Sequence, residues 1–445
     1  MIVPRSRLLF WVTAIVLPFA LIAGVAPGSV VLAISLISLF FLVAIVDAAG
    51  GARSLAGIAV ELPAIVRMSK GREARVELRI RNERQQAGNL RVAFPWPREI
   101  KPAEEVVDAV LPAGSEWSRV TLACTPLERG NCRLRAAFLE GASPLGFWAA
   151  RKTVPLLSEI RVYPNLLAER KNLAALFLSR GAFGIHARRQ VGKGRDFEKL
   201  REYVPGDGYD EIHWKATARR GRPITKVFQT EKTQEVYVIV DASRLSARRP
   251  EVAAVAGASV LERFVTSALV LGLVAERQGD LFGLLTFSDH VDNFVRARNG
   301  QAHYRACRDA LYTLQPKIVT PDFDELCAFL RLRLRRRALL VFLTALDDPA
   351  LAESFVRKVE LIRRQHVVLV NMVRPPGVQP LFTDAPVAEI DDLYLRLGGH
   401  LQWQKLRELQ KVLQRRAVRF SLLDHERLGA EIVSQYMEVK QRQLL

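Results

Sequence analysis

The sequence predicts a mixed α/β protein built from an N-terminal helical membrane hairpin, a small β-sandwich and a doubly wound, mainly parallel sheet. Two uncharged apolar runs stand at the N-terminus, short alternating runs follow, and strand-like and helix-like stretches then alternate to the C-terminus. We therefore divide the 445 residues into a hairpin (1–50), a sandwich (51–165), a linking segment (166–234) and an α/β domain (235–445).

The hairpin is predicted from Leu8–Val25 and Val30–Val46, which carry no charge. Each run is close to the minimum length for crossing a hydrocarbon core of roughly 30 Å. A cleaved signal peptide is the alternative, but a second apolar run follows the first almost at once. Arg5 and Arg7 precede the first run and Arg53 follows the second, so the positive-inside rule places both ends, and the body, in the cytoplasm.

The sandwich is predicted from short runs of alternating apolar and polar residues separated by polar turns. The spacing is typical of an immunoglobulin-like antiparallel sandwich. The runs are Ala74–Ile80, Asn89–Phe94, Trp117–Ala123 and Cys132–Phe138. Cys124 and Cys132 could bridge a hairpin, although reduced thiols are favoured in a cytoplasmic body. Phe147 and Trp148 follow, and core packing is favoured for them over a docking role.

The C-terminal domain is predicted from apolar strands alternating with amphipathic helices, which implies a mainly parallel sheet covered on both faces. One further strand, Val291–Ala297, is expected to pair antiparallel. The parallel strands are predicted at Val236–Val240, Leu281–Phe287, Ala338–Thr344, Val367–Val373 and Arg419–Leu422. Helices are predicted near Val252–Gln278, Ala302–Leu314, Phe323–Arg335, Leu351–Arg364, Leu401–Gln414 and Glu426–Arg442, with another in the linking segment at Leu166–Arg189.

A long motif in the linking segment resembles the signature of the domain of unknown function 58 family. The motif residues are Phe197, Leu200, Arg201, Tyr203, Pro205, Gly206, Asp207, Ile212, Trp214, Lys215, Ala218 and Arg219. The resemblance implies a bacterial cytoplasmic-membrane protein with a von Willebrand factor A-like domain. It also implies a MoxR-type AAA+ ATPase as partner, and it implies no established activity.

The same resemblance implies a divalent cation site at the ends of the parallel strands. The family-like positions are Asp241, Ser243, the displaced Ser246, Thr320 and the displaced Asp347. Carboxylate and hydroxyl oxygens suit Mg²⁺, which keeps several waters. Leu245 and Ala345 stand where ligands are expected, so the sequence predicts a degraded or remodelled Mg²⁺ site. Asp241 and Ser243 could equally cap the turn that follows.

A second polar group, Asp207, Asp210, Glu211 and His213, invites a hydrolase hypothesis. Its spacing matches no metal motif or triad, and it lacks a paired nucleophile and base. We therefore favour a turn stabilised by Asp207 and expect Trp214 to pack in a core.

Charge indicates an acidic partner surface, because 65 Lys and Arg against 46 Asp and Glu give a formal charge of +19. The densest basic run holds Arg331, Arg333, Arg335, Arg336 and Arg337. A helix end with favourable cations is the first interpretation, and attraction to anionic lipid is the second. Nucleic-acid binding comes third because aromatic interleaving and known binding modules are missing.

The sequence therefore predicts a membrane-anchored protein-interaction module rather than an enzyme. A structural membrane scaffold is the other alternative. In the preferred hypothesis, a carboxylate of the partner docks near Asp241, Ser243 and Thr320, with or without Mg²⁺.

Overall fold

The computed structural model describes residues 1–25, 27–167, 191–205, 208–229, 234–249, 258–381 and 390–442. The predicted helix Leu166–Arg189 falls almost entirely outside these ranges, as do Gly206 and Asp207 of the signature. The chain forms two compact units, Met1–Asn165 and Leu166–Leu445, which are described one at a time.

Two apolar helices begin the first unit, α1 (Ser6–Val25) and α2 (Val30–Ala52), with mean hydropathies of 2.5 and 2.8. By length and composition both could cross a membrane. Only 6% of the apolar window of α1 and 22% of that of α2 is buried, so neither is the core helix of this unit.

Both ends of the helix pair are joined to the sandwich. A short strand before α1, β1 (Ile2–Pro4), pairs with the sandwich strand β10 (Trp148–Tyr163). Near the end of α2, buried Asp47 accepts hydrogen bonds from Ser143 Oγ at 2.5 Å, Leu145 N at 2.8 Å and Phe147 N at 3.2 Å. We call these three contacts the Asp47 joint.

The sandwich consists of two sheets with orders β1-β10-β9-β5-β7 and β2-β4-β8-β6, and β3 adds to β10 as a parallel neighbour. Its core contains Leu78, Ile80, Val92 and Leu139. The remaining strands are β2 (Ile58–Glu61), β3 (Ile65–Ser69), β4 (Ala74–Asn82), β5 (Gly88–Ala93), β6 (Ile100–Pro102), β7 (Val106–Leu111), β8 (Trp117–Pro126) and β9 (Gly130–Ala142).

The aromatic pair Phe147 and Trp148 packs against α2 rather than inside the sandwich core. The ring centroids of Phe147 and Phe40 are 6.1 Å apart, and Trp148 Nε1 donates to Ala44 O at 2.8 Å. Cys124 and Cys132 are free thiols, and burial raises the pKa of Cys124 to about 11.

After the residues left undescribed at its start, the second unit contains a hairpin of β11 (Val191–Glu202) and β12 (Ile224–Gln229), with a short helix α3 (Trp214–Arg220) between them. The prediction that Trp214 packs in a core is wrong. It is the first residue of α3, and 68% of its surface is exposed.

A six-stranded sheet follows, in the order β15-β14-β13-β16-β17-β18. Only β15 runs antiparallel to its neighbour, and the other five strands are parallel. The strands are β13 (Glu235–Asp241), β14 (Leu281–Phe287), β15 (Val291–Arg298), β16 (Ala338–Leu343), β17 (Val367–Val373) and β18 (Arg419–Leu423). The predicted mixed α/β class is confirmed.

Helices cover both faces of this sheet and enclose two apolar cores. One core contains side chains of α4 (Val260–Arg277), α5 (Gln301–Leu311) and α9 (Leu428–Gln441). The other contains side chains of α6 (Phe323–Arg333), α7 (Pro349–Arg363) and α8 (Ile390–Arg415).

Two helix starts differ from the sequence prediction. Helix α4 begins at Val260, where Ser259 caps it by accepting from Glu262 N at 3.2 Å, and residues 250–257 lie outside the described ranges. Helix α8 begins at Ile390 rather than near Leu401. Gly398 and Gly399 lie within it, and glycines of this kind ordinarily argue against a helix.

Candidate functional site

The carboxyl-terminal edge of the parallel sheet holds the predicted docking residues. Strand β13 is almost wholly buried and ends at Asp241. Because β13 and β16 are parallel neighbours with Val240 opposite Leu343, the residues that follow them lie side by side. Ligand sites in open α/β sheets commonly form at this edge.

Asp241 is buried and fully engaged in hydrogen bonds. Its Oδ1 accepts from Ser243 N at 2.8 Å, and its Oδ2 accepts from Thr344 Oγ1 at 2.6 Å. Burial raises the pKa of Asp241, while hydrogen bonds from Ser243, Thr344 and Ala345 oppose that shift. Asp241 therefore holds the residues that follow β13 and β16 together, and its buried carboxylate is not exposed to a partner.

The other predicted ligands are used in different ways. Ser246 Oγ donates to Ser243 O at 2.7 Å, and Asp347 is paired with Arg248. Thr320 is exposed on a loop that is tied to the end of β13, since Lys317 N donates to Ala242 O at 2.7 Å and Arg244 N donates to Val319 O at 3.1 Å.

Two buried oxygens at this edge, Ser243 Oγ and Asp347 Oδ1, make no hydrogen bond with the residues that the structure describes. They are hard donors of the kind that Mg²⁺ takes. However, Arg248 already supplies positive charge to Asp347, and no cluster of three His, Cys, Asp or Glu side chains suited to a metal occurs within the described ranges. Mg²⁺ binding stays a prediction.

Sequence reasoning missed several polar residues at the same edge. Thr344 completes the Asp241 pair, and its only sequence signal is its place directly after a buried strand. Ser288 Oγ lies 2.9 Å from Asp289 Oδ1 and 3.0 Å from Asp292 Oδ2, after β14. Lys317 pairs with Asp292. Only the strand order brings these loops together.

The exposed part of the edge carries charge of both signs. Arg244 is exposed and lies 3.5 Å from Asp348, which also caps α7 by accepting from Ala350 N at 3.0 Å. We call Arg244, Thr320 and Asp348 the rim.

Several residues of the family motif are exposed rather than buried. Arg201 and Tyr203 are half-buried in or next to β11, and Arg219 is exposed on α3. The segment also exposes Tyr209 and Trp214.

The acidic group of the hydrolase hypothesis is described only in part, because Asp207 lies outside the described residues. Asp210 and Glu211 form a short 3₁₀ turn. His213 Nδ1 accepts from Ala216 N at 3.0 Å and thereby caps α3. That capping bond accounts for His213 without catalysis, and the hydrolase hypothesis stays untested.

Fold and site together define a class: a mixed α/β protein with two apolar N-terminal helices and several sheets. Residues 199–381 match the model of a family described as "Protein of unknown function DUF58". The predicted resemblance to this family is confirmed over residues 199–381. No protein of curated function matches the sequence.

Similarity to solved structures is low. Native α2-macroglobulin from Escherichia coli, from domain MG7 to its C-terminus, is 20% identical over 24% of this chain and 16% of that chain, with a TM-score of 0.18. A protein of unknown function from Porphyromonas gingivalis W83 is 17% identical over 25% of this chain and 49% of that chain, with a TM-score of 0.18. This chain thus spans less than half the length of either protein.

The conserved hypothetical protein BatB from Bacteroides thetaiotaomicron is 14% identical over 47% of this chain and 99% of that chain, with a TM-score of 0.29. With TM-scores this low, none of these similarities carries an argument about fold or function.

Proposed function

We propose that this protein is a membrane-anchored, cytoplasmic protein-interaction module whose α/β domain is von Willebrand factor A-like. We further propose that it acts with a MoxR-type AAA+ ATPase in the assembly or maturation of a protein complex. The family match supports the signature, and the two apolar helices support the anchor.

The observation that carries the proposal is the rim. Arg244 and Thr320 offer an exposed guanidinium and an exposed hydroxyl, held in place by backbone hydrogen bonds to one loop and by the buried Asp241–Thr344 pair. A carboxylate of the partner would receive charge-assisted hydrogen bonds from such a pair. In this proposal the rim recognises its partner with or without Mg²⁺. A bound cation would be coordinated by the same partner carboxylate.

The test is capture of a purified MoxR-type ATPase from the same organism by the full chain in nanodiscs. We expect Arg244→Glu and Thr320→Ala each to raise the dissociation constant at least about tenfold, which corresponds to a loss of roughly 1.4 kcal/mol of binding free energy. Arg298→Glu, at the opposite end of the sheet, is the matched control and should bind as wild type does. Equal capture by all four proteins would remove the rim from the proposal.

A further inference from the structure

The opposite edge of the sheet, where the parallel strands begin, carries a dense group of arginines. Helix α6 ends at Arg333 and β16 begins at Ala338, so the run Arg331–Arg337 lies at this edge. Its five arginines are exposed, and none has an acidic partner among the residues that the structure describes. We call them the basic edge: Arg331, Arg333, Arg335, Arg336 and Arg337.

Some other arginines of the same unit are paired with carboxylates, as in Arg374 with Asp424 and Arg419 with Glu438. Arg333 instead stacks over Phe329, with 5.7 Å from its guanidinium carbon to the ring centroid. Five like charges in seven residues, without a carboxylate partner in the described part of the chain, repel one another, and an anionic partner would relieve that repulsion.

The helix dipole does not account for the whole group. Cations are favoured near a helix C-terminus, but the effect falls off within the last turn. Arg331 and Arg333 lie in the last turn of α6, whereas Arg335, Arg336 and Arg337 lie beyond it. Three charges therefore need another explanation.

An apolar side chain stands in the middle of the basic edge. Leu332 is 77% exposed and is flanked by Arg331 and Arg333. An exposed apolar residue among basic neighbours in the sequence suits a lipid surface, where headgroups meet the charges and the apolar tip enters the boundary region. A nucleic-acid site would instead expose aromatic rings for stacking, and Phe329 lies beneath Arg333 and is only partly exposed.

The two ends of the sheet carry different charge. Arginines precede two further parallel strands at the end with the basic edge, Arg364 before β17 and Arg415 before β18. The opposite end carries charge of both signs, with Asp289 after β14 and Asp348 beside Arg244 in the rim. An anionic surface would therefore attract the end with the basic edge more strongly than the end with the rim.

We propose that the basic edge and Leu332 bind anionic phospholipid headgroups and so turn the rim away from the membrane toward its partner. The inference rests on the membrane anchoring in the proposed function, but not on the identity of the ATPase. Each basic residue close to an anionic leaflet is attracted within about one Debye length, near 8 Å at physiological salt.

The test uses the full chain, with Cys132→Ser and a polarity-sensitive dye on Leu332→Cys, in nanodiscs of phosphatidylcholine alone or mixed with phosphatidylglycerol. The matched control carries the dye on Ile318→Cys, which is 93% exposed beside the rim. We expect a blue shift for the dye at 332 only with phosphatidylglycerol, its loss in 1 M salt, and no shift at 318.

Variants separate charge from folding. Replacing Arg335, Arg336 and Arg337 together by Gln should abolish the shift, and replacing all three by Lys should keep it. Equal emission in both nanodiscs, a shift that survives the Gln substitutions, or a shift produced by DNA and not by phosphatidylglycerol would overturn the inference. A chain that fails to co-purify with nanodiscs would overturn the anchoring and this inference together, which distinguishes that outcome from a failure of the basic edge alone.

Discussion

At the residue scale, the buried carboxyl group of Asp241 decides how the carboxyl-terminal edge behaves. Its pKa is raised by burial, so the folded chain binds a proton at this group more tightly than the unfolded chain does. The contribution of Asp241 to the free energy of unfolding therefore falls as the pH rises above the pKa of the unfolded chain, which is about 4. A residue that costs stability at neutral pH is typical of a functional site.

We predict that Asp241→Asn removes this pH dependence. In thermal melts of the full chain in detergent with EDTA, the Tm of the variant relative to wild type should rise as the pH increases above about 4 and level off once Asp241 is ionised in the folded chain. Asp309→Asn, at a half-exposed aspartate on α5, should show no such trend. A difference between Asp241→Asn and wild type that does not change with pH would contradict the raised pKa.

The same melts test the predicted cation site. If Mg²⁺ binds at Asp241 and Ser243, wild type gains stability with Mg²⁺ concentration and Asp241→Asn does not, because a ligand stabilises the state that binds it. Sequence reasoning could select Asp241 and Ser243, since both follow an apolar strand. It could not select Thr344, because the contact depends on β16 lying beside β13.

At the element scale, the Asp47 joint connects an apolar helix to the sandwich. Three donors converge on one buried carboxylate, and two of them are backbone N–H groups of the turn that leads into β10. A buried donor that loses its acceptor costs about 1–3 kcal/mol. The joint therefore fixes the turn after β9 to the end of α2.

We predict that Asp47→Ala frees this turn. Amide hydrogen exchange at Leu145 and Phe147, measured in nanodiscs, should accelerate by about 5- to 150-fold, the range that corresponds to that penalty. Asp108→Ala removes an exposed ion pair with Arg91 in the same unit and should leave both amides unchanged. Unaltered exchange in Asp47→Ala would show that the turn is held by other contacts.

Elements with one buried face could be predicted from sequence, and others could not. The alternating run Ala74–Ile80 lies within β4, because its apolar residues point into the sandwich core. The hairpin of β11 and β12 was missed, because the charged sequence of β11 shows no alternation. The first half of α8 was missed for a related reason, since Leu395 and Tyr394 are exposed and its glycines interrupt the pattern.

At the scale of the whole molecule, the N-terminal contacts constrain the topology. Strand β1 precedes α1 and pairs with β10, while the end of α2 is fixed to the same sandwich by the Asp47 joint. Both ends of the helix pair therefore lie on one side of any membrane that the pair crosses.

Which side this is depends on charge rather than on packing. Arg5, Arg7 and Arg53 flank the two helices, and the positive-inside rule places them in the cytoplasm. The cytoplasmic orientation is therefore a prediction from the sequence, and labelling can test it.

We predict that Gly28, between the helices, faces outward and that Gly88, at the start of β5, faces the cytoplasm. A Cβ at either glycine meets no other atom within 4 Å, so Gly28→Cys and Gly88→Cys in a Cys132→Ser chain are matched probes. A membrane-impermeant maleimide should label Gly28→Cys in intact cells, and Gly88→Cys only after permeabilisation. Labelling of Gly88→Cys in intact cells would place the body outside the cytoplasm. The rim would then be out of reach of an AAA+ ATPase, and the proposed partnership would fail with the topology.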